Sequence, residues 1–290
     1  MARQVGVFPI RGTIDELTFY WTPDDGHLVK RKTSVTGKRV KTDPDFARTM
    51  LNAAEFTTSF RSAQLLRKAL DHILFPIVDG KLSGRMNKEM VRVVQLDPIK
   101  GLGERVPCCS TLTTLEGFEF NRKLTLKEAL LANYSIEHDE ANQSLSIHIL
   151  SFTPAAHITA PAYVEHFKLL SGLAVVNFEE KHYAHEFWGT EVLVRDQEPI
   201  DPLRFTYPAK IPPGYTLFLT LGILFYAQLE NIPKEDMSQR KRIRLKSQRW
   251  KDGITPFTGA LALVKVIAGE EKVKEEKKDD AWEMDGLGLA

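Results

Sequence analysis

The sequence predicts a mixed α+β protein in which an N-terminal β-hairpin or arm and helices precede an antiparallel β-sandwich-like domain. Three observations lead to this prediction. Residues 1–42 contain short apolar runs broken by turn residues, and residues 43–97 show the three- and four-residue spacing of buried helix faces. Beyond Gly117, short alternating runs separated by Pro and Gly are typical of strands in a two-sheet sandwich.

The first forty residues read as strands. Asp24-Asp25-Gly26 is a hairpin turn signal between two of them. The apolar positions that define the strands are Val5, Val7, Ile10, Ile14, Leu17, Phe19, Trp21, Leu28 and Val29.

Two helices are expected next. Asp43-Pro44 is a helix start, because Asp accepts free amides of the first turn and Pro at the first position loses no hydrogen bond. The first helix has apolar residues at Phe46, Met50, Ala54, Leu66, Leu70 and Ile73, before Pro76 and Gly80 end it. The second has Leu82, Met86, Met90, Val93 and Val94 on one face, and Asp97-Pro98 closes it.

In the C-terminal half, apolar and polar residues alternate as they do in half-buried strands. Leu145, Ile147 and Ile149 alternate with polar residues, and Thr125 to Leu131 is expected as a short helical insert. Similar runs recur at about 164–178, 187–194, 215–226, 241–250 and 258–267.

We expect three segments along the chain. Residues 1–110 form the N-terminal arm and helical region, residues 111–268 form the sandwich-like domain, and residues 269–290 form a charged tail. The tail has few apolar residues, a composition that normally does not fold alone.

Charge and cysteine content limit the classes of function. The 39 Lys and Arg residues nearly balance the 38 Asp and Glu residues, so the chain has no global field that would mark a nucleic-acid or membrane-surface binder. No apolar run reaches the roughly 18 residues of a membrane span, and no export signal is visible. The adjacent cysteines Cys108 and Cys109 would form a strained bridge, which favours a reducing compartment. We therefore expect a cytoplasmic protein with no membrane partner.

Several short motifs resemble a family of uncharacterised proteins that is common in Bacteroidota genomes. At the N-terminus these are Gly12-Thr13-Ile14, Phe19-Tyr20, Asp25-Gly26, Phe46-Ala47-Arg48-Thr49, Asn52, Glu55-Phe56 and residues 65–70. In the C-terminal half they are Ala160-Pro161, His166-Phe167, residues 221–226 with Gln228, and residues 259–266. The resemblance implies no established activity, and the charged stretch 234–251 resembles an insertion relative to that family.

No catalytic, cofactor or metal site is predicted. Zinc needs three or four converging ligands, whereas the best histidine group has no third ligand fixed by spacing. That group comprises His182, His185 and Glu186, with His157 and His166 as further candidates. Cys108 or Cys109 could act as a nucleophile only with a base that nothing in the local sequence selects, and the loop 101–107 lacks a phosphate-loop ending. The sequence therefore favours a protein that is not an enzyme.

The strongest local charge lies between positions 240 and 251, where seven basic residues occur without an acid. Such a strand with a tryptophan could track a phosphate backbone and stack on a base, which makes nucleic acid the alternative partner. A solvated edge strand protected by its charges is the simpler interpretation. The expected nucleic-acid contacts are Arg242, Arg244, Lys246, Arg249 and Trp250.

The preferred function is self-association of a structural protein into a filament, a tube or a similar assembly. An extended arm can add a strand to a neighbour's sheet edge, and a head-to-tail contact that does not close makes an open polymer. The partner is then a second copy of the chain. The expected assembly contacts are Phe19, Tyr20, Arg48 and Glu55, the last two seven residues apart on one helix face.

Overall fold

The computed structural model describes residues 2–6, 8–22, 25–32, 35–75, 77–228, 230–233 and 254–270. It divides into two compact units, which we call the N-terminal unit (Met1–Ala54) and the C-terminal unit (Glu55–Ala290). The expected boundary near residue 110 differs from this division. The reason is that the helices after Glu55 share a hydrophobic core with the strands that follow them.

The N-terminal unit contains one antiparallel sheet with the strand order β1-β4-β3-β2. Its strands are β1 (Ala2–Arg3), β2 (Gly12–Ile14), β3 (Leu17–Thr22) and β4 (Gly26–Arg31). β3 and β4 pair as a hairpin from Leu17 with Arg31 to Thr22 with Gly26, as the sequence predicts. A short helix α1 (Gly37–Thr42) and a 3₁₀ turn (Pro44–Phe46) follow, and the Asp43 side chain accepts a hydrogen bond from the amide of Asp45, as expected for a helix cap.

Three helices come next: α2 (Ala47–Ala69), α3 (Asp71–Leu74) and α4 (Leu82–Gln95). All five apolar residues predicted on one face of α4 are buried, which confirms that prediction. On the preceding segment Leu66, Leu70 and Ile73 are buried, but Met50 and Ala54 are exposed. The predicted buried face is thus wrong for the first turns of α2. Apolar side chains lie on every side of this part of the helix, so their spacing does not select one face.

Two antiparallel sheets make up most of the C-terminal unit. The smaller has the order β10-β6-β5, and the larger has the order β12-β11-β7-β8, with β9 also paired to β7. The strands are β5 (Tyr134–Asp139), β6 (Ser144–Ile149), β7 (His166–Asn177), β8 (His182–Gly189), β9 (Leu193–Val194), β10 (Leu203–Pro208), β11 (Thr216–Gln228) and β12 (Ile254–Ala268). Short helices precede and separate them: α5 (Cys109–Leu112), α6 (Leu126–Ala129) and α7 (Pro154–His157).

The larger sheet is covered on both faces. On β7, Phe167 and Leu169 pack with Ile147 of the smaller sheet, which gives the expected sandwich-like core. Ala174 and Val176 lie on the other face and pack in a second cluster with helix residues such as Met86. Because successive strand residues point to opposite faces, this one strand contributes to both cores. The fold is therefore α+β, with a β-rich C-terminal half as the sequence predicts.

The outer edge of β12 is partly occupied by the chain itself. The amides of Gly117 and Phe120 donate hydrogen bonds to the carbonyl oxygens of Leu263 and Leu261 at 2.7 and 2.9 Å, and the Leu263 amide donates to the Phe118 carbonyl at 3.0 Å. Residues 117–120 therefore act as a short cap on this side of the larger sheet.

Candidate functional site

The N-terminal sheet has one apolar face that remains open to solvent. Strand register places Ile14 beside Leu17 and Phe19 beside Val29, and Trp21 lies two residues beyond Phe19 on the same face. We call Ile14, Leu17, Phe19, Trp21 and Val29 the apolar face. The Ile14 side chain is 52% exposed and the Trp21 side chain 47% exposed. The face therefore presents large apolar side chains to water.

The N-terminal unit has almost no interior of its own. In the described part of residues 2–54, Leu28 is the only apolar residue classed as buried, with 7% exposure. It lies on the opposite sheet face beside Tyr20, whose ring is 5.5 Å from the Lys30 amine. A small sheet needs a packed face for independent stability, so this unit gains much from a partner that covers it.

The loop between β1 and β2 projects two more apolar side chains. The Gln4 side chain donates hydrogen bonds to the carbonyl oxygens of Ile10 and Leu28 at 3.2 and 3.0 Å, and its Oε1 accepts from the Ile10 amide at 2.9 Å. These bonds fix the loop backbone against β4. Val5 and Phe8 nevertheless remain 93% and 86% exposed. The loop thus adds two apolar anchors to the same unit.

The structure separates the four expected assembly contacts. Phe19 belongs to the apolar face, whereas Tyr20 points to the opposite face of β3. Arg48 is exposed on α2. Glu55 is only 5% exposed, and its Oε1 accepts a hydrogen bond from the Gly103 amide at 3.0 Å. We therefore leave Glu55 out of the proposed assembly surface, since it serves a contact within its own unit.

An open strand edge is the second feature suited to association. β8 pairs with β7 on one side and is the last strand of the larger sheet along that path. Its eight residues include no Lys, Arg or Pro, the residues with which proteins normally protect an edge. β10, an edge of the smaller sheet, contains Arg204 and Pro208. Among the described strands, β8 is therefore a long and poorly protected edge.

Cys108 and Cys109 are both buried. The Cys108 thiol is hydrogen-bonded to the Asp97 carboxylate. Burial raises the pKa of Asp97, but the amides of Val106, Ile99 and Lys100 together with this thiol outweigh that effect and hold the pKa below its usual value. The two cysteines thus follow a segment whose backbone amides donate hydrogen bonds to a buried carboxylate.

The histidines considered as metal ligands do not converge. His182 and His185 are three residues apart on β8, so they point to opposite faces of the sheet. His182 lies against Tyr215, with 3.2 Å from its Nδ1 to the tyrosine hydroxyl, while the His185 ring stacks on Phe187. Across the described ranges no group of three or more His, Cys, Asp or Glu residues could hold a metal ion.

The expected nucleic-acid contacts Arg242, Arg244, Lys246, Arg249 and Trp250 lie outside the described residues, as does most of the charged tail. No helix in the described part of the chain has both the length and the apolar character needed to cross a membrane.

The sequence does not show that most residues of the apolar face are exposed to solvent. The sequence identifies Ile14, Leu17 and Trp21 as strand residues, and the alternation of Leu17, Phe19 and Trp21 is the available signal. Alternation identifies a face that prefers burial but not whether the same chain covers it.

Comparison of the chain with protein-family models, with curated proteins and with solved structures finds no match. The resemblance to a Bacteroidota family therefore stays a prediction.

Proposed function

We propose that this protein is a non-enzymatic structural protein that self-associates through its N-terminal sheet and its open strand edge. The observation that supports the proposal best is the contrast within the N-terminal unit. Its sheet has an exposed apolar face, yet the described part of the unit buries a single apolar residue, Leu28.

Covering the apolar face would stabilise an interface appreciably. Fully burying a large apolar side chain contributes about 1.5–3 kcal/mol, so completing the burial of the half-exposed Ile14, Leu17 and Trp21 contributes a few kcal/mol. Val5 and Phe8 add further area, because they are almost fully exposed. A few such residues account for most of the affinity of typical interfaces.

A second copy of the chain is the partner that we propose. One chain offers both halves of a head-to-tail contact: an N-terminal unit that needs covering, and a β8 edge that can accept an added strand. Backbone hydrogen bonds along such an edge provide direction, and a contact of this kind that does not close generates filaments or tubes.

Adjacent substitutions on opposite faces of β2 test the proposal. Ile14→Lys places a charge in the apolar face, whereas Thr13→Lys places the same charge on the other face of the same strand. We expect wild type and Thr13→Lys to sediment as particles larger than the 32.9 kDa chain, and Ile14→Lys to sediment mainly as the monomer. A wild-type protein that stays monomeric at high concentration would end the proposal.

Removal of residues 1–42 tests the arm more broadly. This truncation deletes all four strands of the N-terminal sheet and leaves α2 intact. Electron microscopy and sedimentation should then show loss of assembly. If the truncated chain still forms particles of normal size and shape, the N-terminal arm is not an assembly contact. Only the β8 edge would then remain as the proposed contact.

Nucleic-acid association is the second candidate, supported by the seven basic residues without an acid between positions 240 and 251. Affinity for DNA or RNA should fall steeply with salt and collapse when Arg242, Arg244 and Lys246 become Glu. Light scattering with and without nuclease separates the two candidates, because only particles held together by nucleic acid would shrink.

A further inference from the structure

Two adjoining cavities form a cleft in the C-terminal unit. Their volumes are about 480 and 590 Å³, within the usual range for small-molecule sites. They adjoin each other, because both are lined by Thr58, Ser62, Val106, Phe178 and Glu179. Helix α2, the segment 97–112 and residues 178–183 build most of the walls, and Gly214 contributes to the first cavity.

The first cavity, which we call the inner end, is mainly apolar. Ile99, Val106, Leu112 and Phe178 line it together with the thiols of the two adjacent cysteines. Three charged residues, Asp97, Lys100 and Glu179, also line this end. Hydrogen bonds from the amides of its own loop satisfy the Asp97 carboxylate. The inner end therefore suits a hydrocarbon or aromatic group.

The second cavity, which we call the outer end, is basic. It is lined by Arg61, Lys68 and Lys181, against the single carboxylate of Glu179. Arg61 and Lys68 are seven residues apart on α2 and so share one helix face. In the described ranges none of the three cations is within 4.0 Å of an acidic group. Three cationic side chains therefore line this cavity, with a single carboxylate among its lining residues.

Lys181 occupies a strained backbone position. Its φ is +56°, a left-handed conformation that glycine adopts much more easily. The turn around it is fixed by the Asn177 side chain, which accepts a hydrogen bond from the Glu180 amide at 2.8 Å. The chain thus carries a lysine at a position where glycine would be less strained, at the basic end of the cleft.

We propose that this cleft binds an amphipathic anion, with its apolar body at the inner end and its carboxylate or phosphate head between Arg61, Lys68 and Lys181. The division of the cleft into an apolar end and a basic end supports this assignment. The proposal does not depend on self-association, because every lining residue belongs to the C-terminal unit.

Calorimetric titration of the full chain with four probes tests the ligand class. Dodecanoate and dodecyl phosphate should bind, with their relative affinity showing which head group fits better. Dodecanol, which lacks the charge, should bind at least about fivefold more weakly, and acetate, which lacks the body, should not bind. Absence of binding by both anions would overturn the proposal, and equal binding of dodecanol and dodecanoate would remove the role of the three cations.

The variant Lys181→Gly tests whether Lys181 contributes to ligand binding without lowering the stability of the fold. Glycine relieves the positive φ, so the variant should unfold at the same or a higher temperature while it binds dodecanoate about fivefold more weakly. Lys210→Gly is the control, because Lys210 is exposed and lines none of the cavities described here. It should bind like the wild type.

The apolar part of the cleft is tested by Thr58→Trp, which fills the region shared by the two cavities from a half-buried position on α2. We expect dodecanoate binding to be lost while the thermal unfolding temperature changes little. Wild-type affinity in both Thr58→Trp and Lys181→Gly would place any dodecanoate site elsewhere and overturn the proposal.

Discussion

The Asp97 carboxylate accepts hydrogen bonds from the amides of Ile99 and Lys100 at 2.9 and 3.2 Å and from Val106 at 3.0 Å. Glu55 supports the same segment, because it accepts from the Gly103 amide at 3.0 Å. Two nearly buried carboxylates from helix α2 and from the end of α4 therefore hold an irregular segment that would otherwise lose its backbone partners.

Asp97→Asn should destabilise the protein in a pH-dependent manner. The pKa of Asp97 is lower in the folded protein than its ordinary value of 3.8, so the carboxylate contributes stability above that value and loses it as the pH falls through the folded pKa. At neutral pH we expect a loss of about 1–3 kcal/mol in the free energy of unfolding.

Urea unfolding at several pH values measures this effect. The difference between wild type and Asp97→Asn should shrink below pH 3.8. Asp201→Asn is the control, because Asp201 is exposed. A constant difference between wild type and Asp97→Asn across the pH range would show that the charge of Asp97 is not involved.

The pairing of β11 with β12 depends on close backbone approach. β11 is buried at every position except its last. A Cβ atom added at Gly259 would lie 2.1 Å from the Ile223 carbonyl oxygen, and one added at Gly222 would lie 2.7 Å from the Ala260 carbonyl oxygen. These atoms belong to the backbone, so they cannot move aside without shifting a central strand pair.

Gly259→Ala and Gly84→Ala should have opposite effects on the free energy of unfolding. Gly259→Ala forces β11 and β12 apart and should cost about 1–3 kcal/mol of unfolding free energy. Gly84 lies in α4 with nothing within 4 Å of its added Cβ, so alanine there should stabilise by about 0.5–1 kcal/mol through higher helix propensity. Chemical unfolding midpoints compare the two, and a destabilising Gly84→Ala would contradict the helix argument.

Periodicity predicted the elements whose apolar residues lie on one side. α4 and β6 are examples, since the apolar residues of each have one regular spacing and lie on one face. The method failed where apolar residues surround a helix, as at Met50. Long-range polar contacts are not predicted by spacing either. The sequence identifies Asp97 as a helix stop, but the hydrogen bond that Asp97 accepts from the Val106 amide depends on the path of the loop.

The cleft was missed for a related reason. Its walls come from α2, from segment 97–112 and from residues 178–183, and each segment alone looks ordinary. A site assembled from distant segments becomes visible only when the β7–β8 turn is placed beside α2.

At the scale of the whole molecule, the two units differ strongly in buried apolar surface. The C-terminal unit contains two large core clusters, whereas the described part of the N-terminal unit buries only Leu28 among its apolar residues. Regions with few buried apolar contacts open at low free energy, so the N-terminal sheet should be the first part of the chain to lose structure.

Hydrogen exchange read by mass spectrometry tests this difference. Amides of β3 and β4 should exchange faster than those of β11 in the dilute protein, and should slow as the concentration rises, because self-association covers the apolar face. The β11 amides provide the internal control. If higher concentration produces larger particles without slowing exchange in β3 and β4, the contact lies elsewhere.

The cap formed by residues 117–120 has a consequence for the geometry of growth. The larger sheet has both faces covered, and this cap occupies part of the β12 edge, so within the described residues β8 is the edge best suited to strand addition. Two subunits that joined β8 to β8 would form one continuous sheet with a partly capped β12 strand at each end, which favours a dimer over further strand addition. An open polymer therefore requires a second, different contact surface in addition to β8. The cap thus protects the protein against unlimited edge-to-edge growth of the sheet.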